Sequence, residues 1–293
     1  MFEMMHPFPP DRIAHDILVS PPSCIVVDLD GTCLDERQQM HERTRHALES
    51  ATHHLPVIIA TGRMYCSALP WAKYIATDAP LICYQGAMIR TQEHGNTPAT
   101  TLYEQAVPYE VVRETISLAR VHNWHRQIYV DDNLYCEEDR EEARLYATIA
   151  DVPIQFVDDL EILATRGTTK VVLVLPDGEK AQQARGIVQG VLGNRARVVS
   201  SLRQFVEVSH VDASKGQALF RLGDWLHINP REALVFGDAG NDIDMLDLAQ
   251  YGVAVEDADV NVREHAQWTC PGPHDGGVGL FLEQVGLAGS SKS

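Results

Sequence analysis

Long apolar runs are missing: nothing in the 293 residues approaches the ~20 consecutive apolar positions that a membrane-spanning helix needs. The first 23 residues hold Pro7, Pro9, Pro10, Pro21 and Pro22 among histidines and acids, a mixture that suits neither an anchor nor a signal peptide. No membrane partner is expected. Paired cysteines are missing too. Cys24, Cys33, Cys66, Cys83, Cys136 and Cys270 show no C-x-x-C spacing, which argues against a disulfide framework or a zinc knuckle and suits a reducing, cytoplasmic setting. Positive charge is scarce, with 24 Lys and Arg against 41 Asp and Glu and a formal charge of −17. Such an excess repels nucleic-acid backbones and anionic lipid. A small anionic ligand stays compatible, because screening over ~10 Å lets a local group of cations and N–H donors outweigh the net charge. Internal repeats and low-complexity tracts are also absent.

What is present is 45% hydrophobic residues, enough for a large core without staples. Short runs rich in Val and Ile recur at Cys24 to Leu29, Val57 to Ala60, Leu81 to Tyr84, Ala233 to Phe236 and Gly252 to Val255. Continuous runs of this kind suit strands buried on both faces of a parallel sheet. Helical patterns alternate with them at Glu42 to His53, Met64 to Ala76, Lys215 to His227, Asn241 to Ala249 and Asn261 to Ala266. The alternation predicts an α/β fold, a doubly wound Rossmann-like parallel sheet built from residues 24–85 and 198–288. In residues 86–197 the texture changes. Strands Gln127 to Tyr135 and Lys170 to Leu175 mix apolar and polar residues, and helices Tyr109 to Trp124, Arg140 to Ala150 and Lys180 to Leu192 are amphipathic. This predicts an inserted α+β cap domain. Residues 1–23 read as an N-terminal extension, helical or surface-packed over Asp11 to Val19, and 289–293 as a flexible tail.

Four strand-edge segments carry candidate chemistry. Asp28-Leu29-Asp30-Gly31-Thr32 follows the first apolar run, at the sheet edge where open α/β folds bind ligands. Two carboxylates one residue apart can share a metal and a substrate, one attacking while the other moves a proton. Thr61-Gly62-Arg63 follows the second run and offers a hydroxyl and backbone N–H groups to an anion. Lys215 opens a helix, where a cation opposes the macrodipole unless an anion balances it; a solvated surface lysine is the plain alternative. Gly237-Asp238-Ala239-Gly240-Asn241-Asp242 supplies hard oxygen donors suited to Mg²⁺, although an Asp or Asn here can also simply cap the next helix.

In this order, D-x-D-G-T at Asp28 to Thr32, T-G-R at Thr61 to Arg63, S-K-G at Ser214 to Gly216 and G-D-x-x-N-D at Gly237 to Asp242 resemble the haloacid dehalogenase (HAD) superfamily, specifically its Cof-type, subfamily IIB phosphatases. The resemblance implies a Mg²⁺-dependent phosphatase acting on a small phosphate ester, such as a sugar phosphate or a phosphorylated cofactor or nucleotide. It implies Asp28 as nucleophile, Asp30 as general acid then base, and Lys215 as charge stabiliser. Leu29, Thr61, Gly62, Lys215 and Asn241 would hold the phosphoryl group. The metal would rest on Asp28, the Asp30 backbone carbonyl and Asp238, with Asp242 a ligand or a partner behind one. Neighbouring carboxylates are expected to raise the Asp30 pKa and so help it to act as an acid. A phosphomutase, or a noncatalytic phosphometabolite sensor, would share these residues; monomer and homodimer are equally compatible. One departure stands out: the family often has Asn-Gly-Ala at the third strand edge, where this chain has Gln85-Gly86-Ala87.

Overall fold

A computed structural model describes residues 10–200 and 203–289. Its strands are β1 Ile25–Val27, β2 Val57–Ile59, β3 Leu81–Cys83, β4 Met88–Arg90, β5 Thr101–Glu104, β6 His125–Val130, β7 Asn133–Cys136, β8 Ile154–Phe156, β9 Lys170–Val174, β10 Ala196–Val199, β11 Phe205–His210, β12 Leu234–Gly237, β13 Tyr251–Val255 and β14 Trp268–Cys270. The helices are α1 Pro10–Val19, α2 Glu42–Ala51, α3 Tyr65–Tyr74, α4 Tyr109–Val121, α5 Glu141–Ala150, α6 Leu160–Ala164, α7 Gly178–Leu192, α8 Lys215–Leu226, α9 Ile243–Leu248, α10 Val260–Arg263 and α11 Gly277–Gln284. None of the described helices is long and apolar enough to cross a membrane.

The core sheet is parallel throughout, in the order β14-β13-β12-β1-β2, and a parallel bridge between Ala60 and Ile82 brings β3 alongside β2. Every residue of β1, β2 and β12 is buried, which is why these runs read as unbroken apolar segments. Helix α2 packs on α11, and α8 on α9. The doubly wound α/β core expected from the sequence is present. The strand β14, with its partly polar Trp-Thr-Cys, gave no such signal.

A second sheet of six strands, ordered β10-β11-β9-β6-β7-β8, builds the cap. Its pairing departs from the expected 86–197 insert at both ends. Residues 88–104 form β4 and β5, which return antiparallel on β3 and stay with the core. At the other end, β11 pairs with β9 and belongs to the cap, as far as His210. The chain leaves the core and comes back at one place, where the Gln105 and His210 side chains meet at 3.2 Å. The single strand expected over Gln127 to Tyr135 is a hairpin, because Asp131 and Asp132 take φ of 50° and 57°, a two-residue turn with positive φ at both positions.

The N-terminal extension docks on the core through α1. Ile17 is buried, and the Tyr251 hydroxyl donates to the Ser20 carbonyl at 2.6 Å. Residues 1–9 of that extension, and all of the expected tail except Gly289, lie outside the described residues.

Candidate active site

Because β1 and β12 are adjacent and parallel, the residues that leave their C-terminal ends emerge side by side. Asp28 follows β1 and Asp238 follows β12. Gly31 makes the turn between them possible: its φ is +87°, and a Cβ there would lie 2.3 Å from Asp238 Oδ2. Thr32 Oγ1 donates to Asp238 Oδ1 at 2.8 Å and fixes that carboxylate.

Lys215 enters from the first turn of α8, whose N-cap Ser214 accepts from the Gln217 N–H. It is not a surface lysine. Its ammonium is fully buried and donates to Asp28 Oδ1 and to Asp242 Oδ1, both at 2.6 Å. Burial opposes its charge, but Asp242 and Asp28 outweigh burial and hold its pKa above the ordinary lysine range. The other Asp242 oxygen accepts from the backbone N–H groups of Asp238 and Ala239, both at 3.0 Å. Asp242 does not cap α9 with its side chain. Both of its oxygens are engaged, so it positions Lys215 and the loop after β12.

The carboxylates Asp28, Asp238 and Asp242 each bring an oxygen within 4.8 Å of the others. Burial raises Asp28 well above the usual carboxylate range; Lys215 offsets part of this, and Asp242, Asp238 and Asp30 add to it. Burial and then the Asp242 charge push Asp238 up to about 7. One ammonium does not balance this much buried negative charge, and the donors are hard oxygens. The set therefore fits a divalent cation, with Asp28 and Asp238 as the carboxylates facing it.

Asp30 corrects one expectation. Burial alone would raise its pKa, but Arg63 donates to it twice, at 2.7 and 2.6 Å, and the net direction is downward. A guanidinium 33 residues away outweighs the neighbouring carboxylates. Arg63 Nη2 also contacts Gln38 Oε1.

The remaining phosphate-site candidates divide. Gly62 and Asn241 line a cavity of about 840 Å³ together with Asp28, Asp30 and Asp238. Leu29 and Thr61 are fully buried behind it, with Thr61 Oγ1 accepting from the Arg63 N–H at 3.2 Å. Asn241 Nδ2 donates to Gln85 Oε1 at 2.6 Å. Gln85 Nε2 is buried beside Gly62 with no hydrogen-bond partner among the described residues. Backbone φ is positive at Tyr84, Gln85 and Gly86 in succession, and a Cβ on Gly86 would sit 2.0 Å from the Ser214 carbonyl. This left-handed stretch seats Gln85 against the start of α8.

Sequence reasoning missed the cap side of the cavity. Tyr146 from α5, Lys170 from β9, and Phe205 and Glu207 from β11 line it. Lys170 Nζ donates to the Gly62 carbonyl at 3.1 Å and lies 3.3 Å from Glu207 Oε2, so a cap lysine touches the core loop. The available signal was a lone Lys or Glu set against apolar neighbours in two strands, Lys-Val-Val-Leu-Val and Phe-Val-Glu-Val-Ser-His.

Comparison with known proteins agrees with this geometry. The family model for haloacid dehalogenase-like hydrolases matches residues 25–282. A phosphoglycolate phosphatase of Archaeoglobus fulgidus is 27% identical over 91% of this chain and 98% of its own length. A 5-amino-6-(5-phospho-D-ribitylamino)uracil phosphatase of Bacillus subtilis is 26% identical over 90% of this chain and 97% of its own. Among solved structures, a Thermotoga maritima protein superposes with a TM-score of 0.78 at 31% identity, over 90% of this chain and 97% of that one. A subclass IIB sugar phosphatase of the superfamily, at 20% identity, shares the fold with a TM-score of 0.75 over 90% of this chain and 99% of its own. With the motif residues gathered at one sheet edge and the match running through both core and cap, the chain belongs to the haloacid dehalogenase-like hydrolases and is a phosphate-monoester hydrolase of the Cof type.

Proposed function

We propose that the protein is a Mg²⁺-dependent phosphatase that cleaves a small phosphorylated metabolite through an aspartyl-phosphate on Asp28. The observation that carries this reading is the buried Lys215 ammonium, 2.6 Å from Asp28 Oδ1 and held from behind by Asp242. Asp28 and Asp238 would hold the cation, which when bound neutralises phosphate charge and lowers the repulsion that an anionic nucleophile meets.

An Asp28 carboxylate oxygen forms a bond to phosphorus as the ester P–O bond breaks, and the electron pair leaves on the ester oxygen. Asp30 gives that oxygen its proton and becomes a carboxylate. A water then adds to phosphorus, its proton passes to Asp30, and the P–O bond to Asp28 breaks, releasing phosphate and restoring both aspartates. Arg63 favours the base form of Asp30 in the free protein, the form required to activate water. The dianionic phosphate supplies the negative charge that raises Asp30 for the first step. Lys215 opposes the rise that burial imposes on Asp28 and orients its carboxyl, and the cap excludes water from the cavity. The six unpaired cysteines, five of them buried, fit a cytoplasmic protein.

The test is a phosphate-release screen over phosphometabolites with and without Mg²⁺, using purified Asp28→Asn as the blank. Release of inorganic phosphate without a bisphosphate activator supports hydrolysis over mutase transfer. Turnover by Asp28→Asn near the wild-type rate would refute the nucleophile.

A further inference from the structure

The Lys170 side chain, on cap strand β9, is 1% exposed, and its ammonium has no N–H left over for a substrate. Its acceptors are Glu207 Oε2 at 3.3 Å, the Tyr146 hydroxyl and the Gly62 carbonyl at 3.1 Å. The first two belong to the cap. The third is backbone of the core loop Thr61-Gly62-Arg63, 108 positions away in the chain. The ammonium also lies against the Tyr129 ring of the cap and the Tyr84 ring of the core, 5.1 and 5.9 Å from their centroids. Burial works against its charge, yet Glu207 and Tyr146 outweigh burial and hold its pKa above the ordinary lysine range.

The Gly62 carbonyl is half of the planar Gly62–Arg63 peptide. Whatever holds its oxygen therefore aims the Arg63 N–H, which points the opposite way in a trans unit. That N–H donates to Thr61 Oγ1 at 3.2 Å. Glycine leaves the torsion that turns this peptide nearly unrestricted, so its orientation has to be imposed from outside. On the far side, the Arg63 carbonyl accepts from the Tyr84 N–H at 2.9 Å. The Arg63 main chain is thus gripped between a cap lysine and the turn after β3. From that base its guanidinium reaches Asp30 with two hydrogen bonds, at 2.7 and 2.6 Å, and a two-point fork depends on where its base sits.

We propose that Lys170 is a positioning residue for the reaction: by holding the Gly62 carbonyl it sets the Gly62–Arg63 peptide, and through Arg63 the Asp30 carboxyl, so that the acid–base group is aligned only while the cap is docked. The cap then completes the chemistry of the core through a residue that never touches the substrate. This deepens the phosphatase reading and rests on it for the role of Asp30; the hold on the peptide does not.

The hold is tested in the wild type by residue-resolved amide hydrogen exchange of the full-length protein. The N–H groups of Tyr65 and Cys66 donate to Asp132 of the cap, at 3.0 and 2.9 Å, and so report undocking. The protection factor of the Arg63 N–H is expected to match theirs within about threefold, because one opening event releases all three. A mismatch beyond that range overturns the inference in either direction, since the peptide would be held without the cap or loose beneath it.

The chemistry is tested in the double variant Lys170→Met with Glu207→Gln, which leaves no unbalanced buried charge. Its kcat/KM is measured on glycerol 3-phosphate and glucose 6-phosphate, whose leaving oxygen needs a proton, and on p-nitrophenyl phosphate, whose leaving group does not. A misaligned Asp30 is expected to cost the alkyl esters about tenfold or more beyond any loss on the aryl ester. Adding Arg63→Met is expected to widen that gap no further, because both changes break one chain of contacts. Equal losses on the two ester classes in the folded variant, the mark of a general structural defect, overturn the inference, as does an additive effect of Arg63→Met. If the variant does not fold, the wild-type exchange decides. A wild type that releases phosphate from none of these esters or the screened metabolites sinks the phosphatase reading, and the exchange data still judge the hold of Lys170 on the peptide.

Discussion

The carboxylate of Asp132, in the cap hairpin turn, accepts from the backbone N–H of Tyr65 at 3.0 Å and from its neighbour Cys66 at 2.9 Å, so that the cap supplies the N-terminal capping group of core helix α3. Met64, at the N-cap position itself, makes no side-chain cap bond, and the Tyr84 hydroxyl donates to the same Asp132 carboxylate at 2.7 Å. The contact spans the two domains and exists only while they are together.

Asp132→Ala is expected to cost about 1 kcal/mol, the usual value of a lost N-cap. It should also raise KM, because the closed arrangement is less populated. Thermal melting and steady-state kinetics check both effects. A variant with unchanged melting temperature and unchanged KM would show that the contact contributes nothing to closure.

Arg63→Met removes the guanidinium that lowers Asp30. Losing a nearby cation raises a carboxyl pKa, so the limb of the pH–rate profile that reports Asp30 ionisation should move to higher pH. Measured profiles of the two proteins decide it, and coincident limbs would remove Arg63 from the acid–base chemistry.

Asp238, raised to about 7 against an ordinary 3.8, binds its proton more tightly folded than unfolded. In chelator-treated protein its contribution therefore makes stability fall as pH rises from about 4 to about 7. Mg²⁺ competes with that proton. Its stabilising effect, about 2.7 kcal/mol at a hundredfold excess over Kd, should be larger at pH 8 than at pH 6. Melting curves with and without Mg²⁺ at the two pH values test this; an equal gain at both would count against Asp238 as a ligand.

Gln85 Nε2, buried beside Gly62, is placed to donate to a phosphoryl oxygen. A hydrogen bond to a charged group contributes about 1.5–3 kcal/mol. Gln85→Leu should weaken competitive inhibition by inorganic phosphate roughly ten- to a hundredfold, on the same scale. Gln85→Glu should weaken it further, by repulsion. Inhibition constants near the wild-type value in both variants would leave Gln85 without a role in binding.

The core and most of its acidic site were legible because each chemical residue follows a buried apolar run, and Asp28 and Asp238 follow runs that prove adjacent in the sheet. Lys215 was legible as a cation at the wrong end of a helix dipole. The rest depended on pairings that local pattern does not encode. Glu207 meets Lys170 because β11 lies next to β9, 37 positions apart in the chain at these residues. Arg63 reaches Asp30 across a separation of 33 residues, so summing neighbouring carboxylates gave the wrong sign for its pKa. The cap boundaries were misplaced because β4 and β5 have the mixed texture of cap strands, yet the left-handed turn at Gln85 and Gly86 folds them back on β3.

The meeting of Gln105 with His210 has a practical corollary. A single doorway through which a polypeptide both departs and returns makes everything between an exchangeable cassette. Chimeras that splice a foreign lid into this gap would keep the motif-bearing framework and acquire the donor's preference, and the recipient's own lid could be grafted onward in the same way.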